Sequence, residues 1–203
     1  MKKREPLFPW VEKIAQFAPS SGGVFSYSEL FHLTGATTPL QGNRVIQRLL
    51  KEGVIYKICR GFYVTKNPDL WMLASRIKKK VYISTDSVLA KNGLIGTVPE
   101  RTVTAVYTGQ KRKILKTPFG TIRFLSIQRQ LMFGTTRTQQ GILVANSEKA
   151  YLDLLYYYTK GVRFVVDPLQ EVNLQKLDRK KIKLYLKNYK NPKFVQFVKG
   201  VLK

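Results

Sequence analysis

Two short helices joined by a tight glycine turn constrain this chain more than any other feature in it. Ser26-Tyr27-Ser28-Glu29 has the S-x-x-E form of a capping box, in which serine and glutamate satisfy each other's backbone donors, and it predicts a helix running to Leu33. Thr34-Gly35-Ala36 is the turn. Thr38-Pro39-Leu40-Gln41 then signs a new helix, with threonine at the N-cap, proline at the first helical position and glutamine three residues after the cap. That spacing is the helix-turn-helix, whose second helix lies in the DNA major groove. Upstream, Leu7, Trp10, Val11, Ile14 and Phe17 recur at three and four and predict a first helix, broken by Pro19-Ser20-Ser21-Gly22-Gly23. Downstream, Val54 to Val64 holds two β-rich runs around Arg60-Gly61, a hairpin that would form a wing.

On the second helix of the pair, Gly42, Val45, Ile46, Leu49 and Leu50 share one side at 100° per residue, and Arg44, Gln47, Arg48 and Lys51 project toward the other. Glutamine and arginine can bond bidentately to adenine and guanine edges, and Lys51 is placed for phosphate. The expected recognition-helix contacts are therefore Thr38, Gln41, Asn43, Arg44, Gln47, Arg48 and Lys51, with Lys57 and Arg60 contributed by the wing.

The charge agrees with such a partner. Against 36 Lys and Arg stand 12 Asp and Glu, a net charge of +24 spread over every part of the chain rather than held in one tail. A polyanion is the implied ligand. The same composition argues against catalysis: one histidine, His32, and few carboxylates cannot readily assemble a histidine metal site or a Ser-His-Asp relay. Asp86, Glu148, Asp153, Asp167 and Glu171 form no nuclease spacing, so neither catalytic residue, metal nor cofactor is expected. A lone cysteine, Cys59, implies a reducing compartment. Lys2, Lys3 and Arg4 are followed by Glu5, Pro6 and Pro9 instead of an apolar stretch, and no run approaches the roughly 20 residues of a membrane span. The chain is read as cytoplasmic, with no membrane partner.

Asn67-Pro68-Asp69 reads as a seam, so the expected organisation is α+β: a winged helix-turn-helix over residues 1–66, followed by a mixed α/β domain over 67–203. In the second part Leu70 to Ile77 reads as helix, Val81 to Ser84 as strand, and Asp86 to about Asn92-Gly93 as helix. Arg101 to Tyr107, Thr121 to Ile127 and Ile142 to Ala145 read as strands, with the basic stretch around Lys111-Arg112-Lys113 leading into the second of them. Asn146 or Ser147 caps a helix through Tyr158, Val162 to Val166 is a short apolar run, and the tail from Leu174 reads as two helices broken near Asn191-Pro192. Lys78, Lys79, Lys80, Lys111, Arg112 and Lys113 make a candidate second basic surface.

Helix, S-Y-S-E-L helix, recognition helix and Gly53-Val54-Ile55-Tyr56-Lys57-Ile58-Cys59-Arg60-Gly61-Phe62-Tyr63-Val64 together resemble the N-terminal domain of AbiEi-type antitoxins, transcriptional regulators of bacterial phage-defence loci. Tyr82 to Ile95 and Val144 to Leu155 resemble two blocks of that family's C-terminal region, with departures at Val88, where alanine is usual, and Asn92, where histidine is common. The resemblance implies an antitoxin that represses its own operon through the winged helix and counters a nucleotidyltransferase-like toxin without a stable complex. It implies operator DNA with inverted repeats, bound by a monomer or a homodimer. The alternative reading is an RNA-binding or RNA-acting protein that works through its basic second domain.

Overall fold

The computed structural model describes residues 6–97, 101–109 and 112–202. The chain is a mixed α/β protein of two compact units, Met1–Leu73 and Ala74–Lys203.

In the first unit, helix α1 (Phe8–Ser21) precedes strand β1 (Val24–Ser26), helices α2 (Tyr27–Thr34) and α3 (Pro39–Lys51), and strands β2 (Tyr56–Cys59) and β3 (Phe62–Val64). The strands form one antiparallel sheet in the order β1-β3-β2. Helix α1 ends inside the Pro19–Gly23 stretch, as the sequence predicts, but not at Pro19 itself. A proline in the last turn removes only one backbone bond, and the helix instead stops where Gly22 turns left-handed at φ 59° and the Gly23 N–H closes on the Ala18 carbonyl at 2.7 Å. The capping box forms as expected: the Ser26 N–H donates to Glu29 Oε2 at 2.6 Å and the Glu29 N–H to Ser26 Oγ at 3.2 Å. Ile14, Phe25, Leu30, Val45, Ile46, Leu49, Ile55 and Tyr63 make the core.

Helix α4 (Leu70–Ile77) spans the division between the units. The second unit is built on six strands: β4 (Val81–Ile83), β5 (Thr102–Tyr107), β6 (Lys113–Thr117), β7 (Gly120–Ser126), β8 (Thr135–Arg137) and β9 (Leu143–Ala145). They are ordered β6-β7-β5-β4-β9-β8. The pairs β4-β9 and β5-β7 are parallel and the others antiparallel. Helices α5 (Asp86–Lys91) and α6 (Ser147–Tyr158) follow the parallel neighbours β4 and β9, and α7 (Arg179–Leu186) and α8 (Pro192–Val201) complete the unit.

Two strands escape the sequence reading. The basic stretch taken as a link contains β6, whose pairing with β7 is fixed by backbone bonds that a lysine-rich composition conceals. The three-residue β8 is too short to show a period. Tyr151, Leu152, Leu154, Leu155 and Tyr157 are all buried, so α6 is a core helix apolar around most of its circumference.

Candidate nucleic-acid interface

Helix α3 is held by its buried side and its cap. Gly42 faces α2 so closely that a Cβ there would overlap the Phe31 ring, so any larger residue must displace that ring from between the two helices. Thr38 caps the helix, its hydroxyl accepting the Gln41 N–H at 3.4 Å. With Val45, Ile46 and Leu49 buried, Gln41, Asn43, Arg44, Gln47 and Lys51 are all exposed on one acid-free surface.

The expected contacts are not equivalent. Arg44, Gln47 and Lys51 project outward. Asn43 accepts the Tyr27 hydroxyl at 2.9 Å and Gln41 accepts that of Thr37 at 3.1 Å, so their amides are partly committed inside the unit. Arg48 is half-buried, its guanidinium 5.8 Å from the Trp10 ring centroid, while the Trp10 indole N–H donates to the Thr34 carbonyl at 3.1 Å. Its reach is thereby limited. Lys57 and Arg60 are exposed on the β2-β3 hairpin.

In the second unit the basic side chains divide. Lys79 and Lys80 are exposed at the start of β4, with Lys80 in the left-handed region at φ 53°, whereas Lys78 is half-buried with its ammonium 5.2 Å from the Tyr107 ring. Lys111 lies outside the described residues. Arg112 and Lys113 are exposed, and Arg112 donates to the Lys160 carbonyl at 3.5 Å. The register of β6 on β7 sets Ile114 opposite Arg123, which donates to the Arg163 carbonyl at 2.9 Å and lies 5.0 Å from the Phe164 ring. Arg112 and Arg123 thus both reach the backbone of the segment after α6, at Lys160 and Arg163, while the Lys160 ammonium itself donates to the Tyr156 hydroxyl at 2.6 Å; the sequence singled out neither Arg123 nor that segment.

A second polar cluster lies wholly inside the unit. Lys149 and Asp153, one helical turn apart on α6 and fully buried, form an ion pair through Nζ and Oδ1. Asp153 Oδ2 also accepts from the Tyr82 hydroxyl at 2.9 Å and Ser84 Oγ at 2.7 Å. The rings of Phe133, Tyr82 and Tyr189 stand 4.8, 5.6 and 5.7 Å from the Lys149 ammonium. Burial pushes the Lys149 amine below its ordinary value despite its aspartate, and burial holds the Tyr82 and Tyr189 phenols well above theirs. Each charge is matched and shielded, an arrangement suited to fixing α6 in place. The (i, i+4) spacing of lysine and aspartate was the available signal. Beside it, Thr85 holds φ 56°, and Asp86 Oδ2 and Thr104 Oγ1 are buried without a hydrogen-bond partner among the described residues. Among those residues no group of three or more His, Cys, Asp or Glu could hold a metal ion, and no helix is long and apolar enough to cross a membrane.

A search of the curated proteins finds no match. Among solved structures, the crystal structure of the RV2827C protein from Mycobacterium tuberculosis matches with a TM-score of 0.64 at 13% identity, covering 98% of this chain and 77% of that one. The likeness is one of fold. Residues 12–66, which carry most of α1, the capped pair and the hairpin, match the model of the family described as transcriptional regulator, AbiEi antitoxin, so over this segment the chain is similar to those regulators.

Proposed function

We propose that residues 1–66 act as a winged helix-turn-helix that binds operator DNA, with α3 as the recognition helix and the β2-β3 hairpin as the wing. The observation that carries this reading is the exposed face of α3. Arg44, Gln47 and Lys51 project from a helix whose opposite side is locked into the core, with no acid among them. Arg44 and Gln47 read base edges; Lys51, Lys57 and Arg60 contact backbone. Thr38, Gln41, Asn43 and Arg48 shape and orient the helix in addition to any contact they make.

From the family resemblance the fuller role follows: an autorepressing antitoxin, cytoplasmic and without catalytic activity, that opposes a nucleotidyltransferase-like toxin without a stable complex and binds inverted repeats as a monomer or homodimer. Lys78, Lys79, Lys80, Lys111, Arg112 and Lys113 extend its phosphate contacts. The test is binding to the DNA upstream of its own gene, against scrambled duplex and a structured RNA, across a salt series. Preference for the native duplex should survive near-physiological salt and disappear in Arg44→Ala with Gln47→Ala. A second reading, RNA binding through the second unit, is favoured by the exposed Arg112 and Lys113 and by Arg123 beside the Phe164 ring. Tighter binding to the RNA than to either duplex would establish it and remove the operator reading.

A further inference from the structure

Helices α7 and α8 enclose a groove of about 540 Å³, separate from every surface discussed above. Its floor is apolar, made by Leu186, Val195 and Leu202, and its rim carries Lys183, Lys187 and Lys199, all exposed. From Arg179 to Lys203 the sequence contains no aspartate or glutamate, so no acid of these two helices neutralises that rim. The groove is preformed. Tyr189 and Phe194 pack at 4.8 Å between ring centroids at the α7-α8 corner, and Arg179 donates to the Leu202 carbonyl at 2.9 Å, tying the end of α8 to the start of α7.

We infer that this groove docks an acidic amphipathic helix of a partner protein, its apolar side chains on Leu186, Val195 and Leu202 and its carboxylates against Lys183, Lys187 and Lys199. Charge complementarity selects this occupant. A second copy laid groove against groove would bring like charges together. Duplex DNA would satisfy the lysines and leave the apolar floor wet, because its phosphates carry no apolar face to fill it. The inference is independent of the DNA-binding reading, since it uses none of the residues of α3 or the hairpin.

The probe is a fluorescein-labelled peptide of about 14 residues, with leucines at i, i+3, i+4 and i+7 and glutamates elsewhere, titrated with the full-length protein by anisotropy. Saturable micromolar binding is expected, at least about tenfold weaker in Lys183→Glu with Lys199→Glu, and at least about tenfold weaker for a peptide of equal composition with its leucines dispersed. Both lysines are surface positions, so the variant should keep its far-ultraviolet circular dichroism and its operator binding. Failure of that binding would fault the fold or the DNA reading, not this one. Absence of peptide binding, equal binding of the dispersed peptide, or indifference to the double substitution overturns the inference. So does lysine-dependent binding to phosphatidylglycerol vesicles without peptide binding, which would assign the groove to a lipid.

Discussion

Single side chains set the tolerances of this molecule, and Gly42 is the tightest. Gly42→Ala drives a methyl into the Phe31 ring, and because the helices cannot separate without opening the core, a loss of about 1–3 kcal/mol is expected in urea unfolding. The buried pair on α6 behaves differently. Lys149→Met should cost about 3–5 kcal/mol by stranding the Asp153 carboxylate, while Lys149→Met with Asp153→Leu should recover much of that, because a well-packed apolar replacement removes both desolvation costs together. A double variant no more stable than the single would show that the Tyr82 and Ser84 hydroxyls, not the charges, hold the helix. Glu148 supplies a pH dependence. Burial pushes its carboxyl up, but the hydrogen bond from Lys181, at 2.8 Å between Nζ and Oε2, and the backbone donors outweigh burial and hold it below its ordinary value of 4.5. Stability from this group is present above 4.5 and is lost as pH falls through the lowered folded-state value. Glu148→Gln should therefore unfold with a shallower acid limb, and an unchanged limb in urea titrations between about pH 3 and 6 would discount the pair.

At the scale of elements, capping chemistry is what the chain states most openly. Thr38→Ala removes the side-chain acceptor for the Gln41 N–H, and a loss of about 0.5–2 kcal/mol is expected; on the proposed reading of α3 as the recognition helix, DNA binding weakens as well because the N-terminal turn of α3 frays. The capped helices α2 and α3 and the hairpin were legible because their signals are local: a hydroxyl, a glutamate three residues on, a glycine, a proline. Strand β6 was not, because its pairing with β7 is a non-local matter and its own composition, Lys113-Ile114-Leu115-Lys116-Thr117, reads as a solvated stretch. The site follows the same division. Arg44 and Gln47 could be placed on the exposed face of α3 from periodicity alone, but the stacking of Arg48 on Trp10 and the bond from Tyr27 to Asn43 arise between helices, and no spacing along the chain announces them.

Across the whole molecule the net charge of +24 makes salt the dominant variable in any nucleic-acid measurement. Arg112→Ala with Arg163→Ala should lower the slope of log affinity against log salt by about 2 if both neutralise phosphate, without altering preference between duplexes. A changed preference would instead mean that the second unit reads sequence. The stacked ring beneath Arg48 has one more consequence. Both tryptophans, Trp10 and Trp71, fall within the unit Met1–Leu73, and the unit Ala74–Lys203 has none. Trp10 packs against the core of the first unit, whereas Trp71 lies on α4, which crosses the division, so in Trp71→Phe the indole emission is a reporter of the first unit. Comparing its denaturation curve with one followed by backbone dichroism asks directly whether the two units melt together or one after the other, with no label and no cut in the chain.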